Sequence, residues 1–192
     1  MRIALASLAV FALPLSASAS DWTFDSAHTS AQFAVRHMMV STVRGAFSGV
    51  TGAASFDEKD VSKGSVEVTI PVATVDTREP KRDAHLKSAD FFDVEKFPTM
   101  TFKSTKVTKV ADGKLKVDGN LTIHGITKPV VLDVDMTPVM NPGPKARIGI
   151  SATAKVNRKD FGLMWNRALE AGGVMVGDEV SIQIDGELVP KA

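Results

Sequence analysis

The chain has 192 residues, and its 23 Lys and Arg side chains nearly balance its 22 Asp and Glu side chains. This balance argues against nucleic acid or an acidic membrane surface as the main partner, because both require a basic excess, although a local basic patch is compatible with it. The sequence has no Cys, no Tyr and two Trp, so disulfides cannot stabilise the fold and base stacking on aromatic rings is not expected.

The N-terminus has the pattern of a signal peptide. Arg2 is followed by an apolar run from Ile3 to Leu15 and then by Ala17, Ser18 and Ala19, small residues of the kind found at signal cleavage sites. We therefore expect residues 1–19 to be removed after Ala19, export of the protein, and one mature domain over residues 20–192. The apolar run is shorter than the roughly 20 residues that span a bilayer, so no transmembrane segment is expected.

Apolar and polar residues alternate along most of the remaining chain, which predicts strands with one buried face. The alternation is clearest from Lys114 to His124, where Leu115, Val117, Leu121 and Ile123 share one phase. The same rhythm predicts strands within 22–24, 31–35, 43–56, 66–72, 130–136, 148–156 and 180–188.

Residues 82–102 interrupt this pattern. The segment contains four phenylalanines, Phe91, Phe92, Phe97 and Phe102, beside alternating charges. So apolar a stretch must pack against something, and we interpret this Phe-rich segment as a lid or plug for the space that the strands enclose.

Short helices are predicted within residues 78–98, because Pro80 suits a first helical position, Asp90 suits an N-cap and Pro98 ends the segment. A second interruption covers residues 157–177. Loops of about 21 residues are usually functional or mobile in a compact domain. The apolar residues in it that are suited to covering an opening are Phe161, Leu163, Met164 and Trp165.

These elements amount to about eight or nine strands with no helix long enough for a βαβ crossover, so an antiparallel barrel or sandwich is predicted. A phase slip between Ser104 and Val107 indicates a β-bulge. Small residues on the inward phase favour a barrel with space for a ligand; alternatively, the glycines only relieve curvature or accommodate the Phe-rich segment. These small residues are Gly45, Gly49, Gly119, Ala152, Ala154 and Gly186.

No signature of catalysis is present in the sequence. The chain lacks GxSxG, HExxH, GxxxxGK[ST] and GxGxxG motifs and has no cysteine nucleophile. Its histidines are His28, His37, His85 and His124, and none of them pair at the i, i+2 or i, i+4 spacing typical of metal ligands. We therefore predict no catalytic residue and no metal site.

Several polar residues have two interpretations. His37 lies on the inward phase of its strand, so it is either a hydrogen-bonded interior histidine or a contact for the polar end of a ligand. Arg82, Asp83 and His85 either form a latch that fixes the Phe-rich segment or recognise a head group. Four arginines are surface cations unless they converge at a barrel mouth, where their guanidinium groups would favour a phosphate; they are Arg36, Arg44, Arg158 and Arg167.

A series of short motifs follows in order along nearly the whole mature chain. They are His28-Thr-Ser, Phe33-Ala-Val-Arg-His37, Arg44-Gly-Ala-Phe47, Arg82-Asp-Ala-His-Leu86, Ser88-Ala-Asp-Phe-Phe-Asp93, Phe97-Pro98, Thr101-Phe-Lys-Ser104, Gly119-Asn-Leu-Thr122, Gly125-Ile-Thr-Lys-Pro129, Asn157-Arg158, Asp160-Phe-Gly162 and Val176-Gly-Asp-Glu-Val180. Together they resemble the YceI-like family of bacterial polyisoprenoid-binding proteins.

The resemblance implies an all-β fold, an antiparallel lipocalin-like barrel of about eight strands with short helical segments between strands. It also implies a tunnel that holds a long-chain isoprenoid lipid, such as a ubiquinone or a polyprenyl phosphate, in the periplasm. Apart from this bound lipid, no cofactor is expected, and a homodimer is compatible with the sequence.

With such a lipid as ligand, the inward phase of the strands and the two interrupting segments are expected to contact its tail. The predicted tail contacts are Phe33, Val35, Phe47, Phe91, Phe92, Phe97, Phe102, Leu121, Ile123, Leu132, Ile150, Ala152, Phe161 and Trp165. The predicted head-group contacts are His37, Arg82, His85 and Arg158.

Two other functions fit the same sequence. An enzyme acting on an isoprenoid head group would need polar residues of perturbed pKa near the mouth, for which His85, Asp83 and His124 are candidates. A structural or interaction module without lipid would have the Phe-rich segment fill the barrel completely.

Overall fold

The computed structural model describes residues 20–57, 60–170 and 172–191, so the predicted signal peptide lies outside the described residues. Strands make up most of this part of the chain. They are β1 (Ser20–Phe24), β2 (Ser30–His37), β3 (Ser41–Phe47), β4 (Thr51–Asp57), β5 (Asp60–Pro71), β6 (Thr99–Ala111), β7 (Lys114–Ile123), β8 (Ile126–Met136), β9 (Ile148–Asn157) and β10 (Val176–Pro190). The helical elements are α1 (Pro80–Lys87) and two 3-10 helices, Val72–Thr74 and Arg158–Phe161.

The strands form one closed antiparallel barrel. Strands β4 to β10 follow β1 around the wall in the order β1-β4-β5-β6-β7-β8-β9-β10, and β1 pairs with β10 to close it. β1 and β2 both pair with β10, one after the other along its length. On their other side, β4 pairs with β1 and β3 pairs with β2. β1 with β2, and β4 with β3, each act as one interrupted strand, so the wall has eight strand positions. This confirms the predicted barrel of about eight strands.

The alternation of β7 shows how burial sets the register. Leu115, Val117, Leu121 and Ile123 are buried in the interior, while Lys114 lies outside. Burying each aliphatic side chain contributes about 1.5–3 kcal/mol, whereas exposed ion pairs such as that of Lys114 with an aspartate of β8 contribute about 0–1 kcal/mol. A slip of one residue would turn the whole apolar set outward, so burial determines the register.

The predicted β-bulge is present in β6. The pairing of β6 with β7 shifts register between Ser104 and Lys106. The Ser104 hydroxyl accepts a hydrogen bond of 2.9 Å from the Val66 N–H of β5, so this side chain satisfies a backbone donor beside the bulge.

Two of the inward glycines, Gly45 and Gly119, make room for aromatic rings of the barrel wall and not for free space. A Cβ atom at Gly45 would overlap the ring of Phe33, and one at Gly119 would overlap the ring of Phe102 and the Lys103 carbonyl. The expectation that these two glycines leave space for a ligand is therefore wrong. Ala152, in contrast, is buried and faces the open interior.

Helix α1 begins as the sequence indicates. Pro80 occupies its first turn, and the Glu79 side chain caps it by accepting a hydrogen bond of 3.2 Å from the Lys81 N–H. Asp90 was expected to cap a second helix, but turns follow α1 and Asp90 instead bonds to His85 at 2.8 Å. Over the described ranges, no helix has both the length and the apolar character needed to cross a bilayer.

Replacing Gly119 with Ala should destabilise the barrel, because the added methyl group meets the Phe102 ring and a backbone carbonyl. The expected loss is about 1–3 kcal/mol in the free energy of unfolding, the usual range for overpacking, measured by urea denaturation. Gly149→Ala is the matched control, since its Cβ approaches only the exposed Thr137 side chain, at 3.2 Å. Equal effects of the two substitutions would contradict the packing argument.

Candidate functional site

The barrel encloses an apolar cavity along most of its length. The cavity volume is about 240 Å³, and the wall is almost entirely carbon. Leu115 and Ile123, near opposite ends of β7, both line it. Eight residues of strand rise by roughly 26 Å, and the tilt of barrel strands reduces this to about 20 Å along the barrel axis. The cavity is thus long and narrow.

Most of the predicted tail contacts face this cavity. Every one of them lines it except Phe97 and Trp165. Phe97 packs instead against His124, with ring centroids 4.5 Å apart, and Trp165 packs against His85 and Phe91 at 4.9 and 5.2 Å. Both therefore belong to the cover of the cavity and not to its wall.

The wall also contains residues outside the predicted set of tail contacts. They lie on the apolar phase of the same alternation that predicts the strands. They include Phe24, Phe56, Val68, Ile70, Met100, Val107, Leu115, Val117, Ile182, Ile184 and Leu188. The inward phase of each strand, taken as a whole, was the signal that could have found them.

The Phe-rich segment, up to Phe97, covers one end of the barrel without filling it. We call this the lidded end; it is where β2 ends at His37 and β10 begins at Val176. Residues 99–102 belong to β6, so Phe102 lies in the barrel wall and its assignment to the lid is wrong. Leu86, Phe91 and Phe92 of the segment line the cavity. The Phe92 ring stands edge-on to the Phe47 ring at 5.7 Å. The open volume beneath these rings is what a completely filled barrel would lack.

The two non-strand segments meet over the lidded end. The His85 ring lies edge-on between the rings of Phe91 and Trp165, at 5.0 and 4.9 Å, and its Nε2 lies 2.8 Å from Asp90 Oδ2. His85 thereby joins the Phe-rich segment to residues 162–175. It is half-buried and does not line the cavity.

Arg82 and Asp83 form a latch around the buried Thr77. Arg82 Nε donates to Thr77 Oγ1 at 2.7 Å, and Arg82 Nη2 donates to the Thr77 carbonyl at 2.9 Å. Asp83 Oδ1 accepts from both the N–H and the hydroxyl of Thr77, at 2.9 and 2.5 Å. The neighbouring Asp76 pairs with Ala46 at the edge of β3. This network ties α1 to the barrel wall, as the latch interpretation requires, and a head-group role for Arg82 stays a prediction.

Arg158 lies at the cavity wall with only 4% of its surface exposed. All five of its N–H donors have acceptors within the protein. Nε donates to the Gly177 carbonyl at 2.9 Å, and Nη1 donates to the carbonyls of Leu163 and Trp165. Nη2 is within 3.4 Å of the Val176 carbonyl and of Asp178. Burial lowers the pKa of this guanidinium, and the charge of Asp178 opposes the shift.

The bonds of Arg158 fold residues 162–177 back over the lidded end. A head group would have to displace at least one of these bonds to reach the guanidinium, so the head-group role assigned to Arg158 stays a prediction. His37 lies in β2 opposite Val176 and Ser41, is half-buried and does not line the cavity. The structure thus brings most of the predicted tail contacts together around the cavity. Of the predicted head-group contacts, Arg158 lies at the cavity wall, and His37, Arg82 and His85 lie outside it.

One group of described side chains has its ligand atoms close enough for a metal: Asp25, His28 and Glu187, all within 4.8 Å of one another. His28 Nδ1 lies 2.9 Å from Asp25, and Glu187 faces Arg147 at 3.5 Å. The hydrogen bond to His28 lowers the pKa of Asp25 and the same bond raises the pKa of His28. Because these atoms already have partners, the group carries no argument for a metal, and the absence of a metal site stays a prediction.

Comparison with known proteins identifies similarity over the whole barrel. The family model of the YceI-like domain matches residues 22–188. A UPF0312 protein of Staphylococcus aureus is 38% identical over 170 residues, which cover 88% of this chain and 96% of that protein. A UPF0312 protein of Vibrio cholerae is 37% identical over 166 residues, covering 85% and 87% of the two chains.

Solved structures share the fold. The YCEI protein of Campylobacter jejuni superimposes with a TM-score of 0.70 at 32% identity, covering 82% of this chain and 90% of that structure. BcnA of Burkholderia cenocepacia gives 0.74 at 24% identity, covering 85% and 98%. A polyisoprenoid binding domain from Saccharophagus degradans gives 0.65 at 14% identity, covering 88% and 98%; at this identity the likeness concerns the fold alone.

Proposed function

The chain belongs to the YceI-like family, and on this premise we propose that it is a binding protein that carries a long-chain isoprenoid lipid with the tail inside its barrel. The observation that carries the proposal is the long cavity with a wall of almost pure carbon. Burial of hydrocarbon contributes about 0.8 kcal/mol for each CH₂ group, so a tail of several isoprene units gains enough to offset the cost of ordering it.

The distribution of polar groups favours tail recognition over head-group recognition. Arg158, the charged residue of the cavity wall, already has an acceptor for each of its donors. A phosphate or a quinone ring placed deep in the barrel would therefore lose its bonds to water without replacement. The polar end of the lipid is expected at the lidded end, near the rim that carries His37, Arg82 and His85.

The name of the Saccharophagus degradans domain supports the isoprenoid class, since it describes polyisoprenoid binding by a protein of the same fold. A carrier role is also preferred to an enzymatic one because the candidate residues for head-group chemistry have structural partners. Asp83 holds Thr77, and His85 bonds to Asp90 between two aromatic rings.

We also propose a periplasmic location, which rests on the signal-like pattern of residues 1–19. Protein recovered from a periplasmic fraction should have the mass of a chain that begins at Ser20. Intact mass spectrometry decides the point, and an uncleaved N-terminus would contradict it.

Filling the cavity should abolish lipid binding while the barrel remains folded. Mass spectrometry of an organic extract of the purified protein is expected to reveal a co-purified isoprenoid lipid. Ala152→Phe places a ring in the cavity and should reduce this occupancy strongly, with an overpacking cost of about 1–3 kcal/mol; Ala152→Leu is the milder variant.

Thr153→Phe is the matched control, because Thr153 is the next residue of β9 and is exposed on the outer face of the wall. It should leave the lipid content unchanged. Wild-type protein without extractable lipid that also fails to bind added polyprenyl lipid would refute the carrier proposal. Unchanged occupancy in folded Ala152→Phe would place the tail elsewhere.

Substitution of Phe92 and of Arg82 should separate tail contacts from head-group contacts. Phe92→Ala removes apolar contact and should weaken a quinone and a polyprenyl phosphate alike. If Arg82 binds the head group, Arg82→Ala loses a charge-assisted hydrogen bond of about 1.5–3 kcal/mol for the phosphate only, which is roughly tenfold or more in relative affinity.

Affinities of both ligands for both variants, with the thermal midpoint of each variant, complete this experiment. Equal effects of Arg82→Ala on the two ligands, together with a lower thermal midpoint, would show that Arg82 acts only through its bonds to Thr77. In that case the head-group assignment of Arg82 is wrong and the tail proposal stands unchanged.

A further inference from the structure

The lidded end carries an exposed apolar tip. The turn between β2 and β3 exposes Met38 by 43%, Met39 by 58% and Val40 by 80%, and Met164 of the adjacent loop is exposed by 60%. We call Met38, Met39 and Val40 the Met patch. Water-exposed side chains of this kind lower solubility without adding to the stability of the barrel, and clustered ones mark interaction sites.

The backbone of this turn is also unfavourable for the residues that occupy it. Met38 and Met39 both have positive φ, 50° and 61°, in a turn closed by the bond from the Val40 N–H to the His37 carbonyl at 3.0 Å. Consecutive positive φ angles favour Asn-Gly and similar pairs, and they are unfavourable for a residue with a Cβ atom. Two methionines here serve neither the turn nor the core.

The Met patch is held as a unit beside the cavity. The Met38 N–H donates to the Met175 carbonyl at 2.7 Å, which joins the turn to residues 162–175. Arg36 Nη2 donates to the carbonyls of Met39 and Val40, at 2.9 and 3.3 Å.

The patch lies beside residues of the cavity wall. Val35 and Val176 both line the cavity and are half-buried, and Val176 pairs with His37 directly before the turn. Val176 also follows Met175, whose carbonyl accepts the bond from the Met38 N–H.

The two stretches of chain that meet at the Met patch carry more cations than acids. Residues 36–44 contain Arg36 and Arg44 and no acid, and residues 162–175 contain Arg167 and Glu170. All three arginines are exposed. An apolar tip with exposed arginines beside it matches the interface of a membrane that contains anionic lipids, where apolar side chains enter the acyl boundary and cations remain among the head groups.

We propose that the Met patch inserts into the surface of an anionic membrane and that the lipid enters and leaves the barrel at this contact. The inference rests on the proposed carrier function and adds to it the surface at which the ligand is exchanged. Docking by this end brings Val35 and Val176 close to the bilayer, and a tail that enters the cavity beside them need not cross water.

The test is binding of the purified mature protein, its N-terminus defined by intact mass, to vesicles of phosphatidylethanolamine and phosphatidylglycerol, followed by flotation. The double variant Met38→Asn/Met39→Gly should bind at least about tenfold more weakly, because it removes the apolar tip. Its thermal midpoint should rise, since Asn-Gly suits the turn. A residue needed only for the fold would give the opposite thermal shift.

Met140→Asn is the matched control. Met140 is exposed by 56% in the loop between β8 and β9, at the end of the barrel opposite the lid, and its substitution should not change vesicle binding. Arg44→Gln should weaken binding to the anionic vesicles by about fivefold and leave binding to phosphatidylcholine vesicles unchanged, because a single cation near an anionic surface contributes about 1 kcal/mol.

Transfer of lipid separates this inference from the carrier function. The double variant, loaded with polyprenyl lipid from detergent, should retain the lipid as wild-type protein does but exchange it with vesicles more slowly. Loss of lipid occupancy in the double variant would make the patch part of the binding cavity and overturn docking. Vesicle binding equal to that of wild type, or absent in both, would also overturn it, the latter favouring a protein partner for the patch. Vesicle binding by a protein that never holds lipid would refute the carrier function alone.

Discussion

Closing an antiparallel sheet of eight strand positions is the constraint from which the other features of this protein follow. Closure pairs the backbone groups of nearly every strand, so the barrel has few exposed edges. It also turns alternate side chains of each strand inward. Most of these side chains are apolar, because a polar atom there would lose its hydrogen bonds to water. A barrel of this size is just wide enough to be filled or to hold a ligand. Here the inward side chains leave a long apolar channel between them.

Closure is incomplete at β3, and this explains the non-strand segments at the lidded end. β3 pairs with β2 along its length, while its other side meets the chain after β5 through Ala46 and Asp76. The hydroxyl of Thr74 donates to the Ser48 carbonyl and accepts from the Ser48 N–H at 3.0 and 3.1 Å. Residues 72–78 thus lie beside β3, in the position that a neighbouring strand would occupy. The hydrogen bonds of Thr77 with Arg82 and Asp83 attach α1 to these residues. The lid is consequently joined to the wall at β3 through side-chain bonds and one isolated bridge, and not through a strand ladder.

The sequence predicts the wall well because a two-residue period has a single physical cause, burial of one face. The strands, the bulge near Ser104 and most of the residues that line the cavity follow from that period alone. The glycines show its limit. Gly119 has the inward phase of an open position, yet the Phe102 ring of the neighbouring strand covers it, and only the three-dimensional pairing reveals which neighbour leans across. Arg158 shows a second limit of prediction from sequence. Its residue type suggests a cation that binds a ligand. In the structure its five acceptors are instead four backbone carbonyls and Asp178, all within residues 163–178.

Apolar side chains line the cavity and the polar side chains of the site lie mostly at its rim, which bears on how the site could select a lipid. The cavity wall offers almost no hydrogen-bonding group, so in the proposed carrier it would select a tail by length and shape and would not distinguish between head groups. Discrimination between lipids of similar tail must therefore come from the rim, where exposed and half-buried polar side chains can exchange bonds with water at small net cost. Those rim residues also hold the lid and the loop beside it. A head group that binds to them would therefore replace some of the contacts that keep the cavity covered. In the proposed carrier, a head group at the rim and the bonds that hold the cover would thus compete for the same side chains, and the occupied arrangement would be the one with the better bonds.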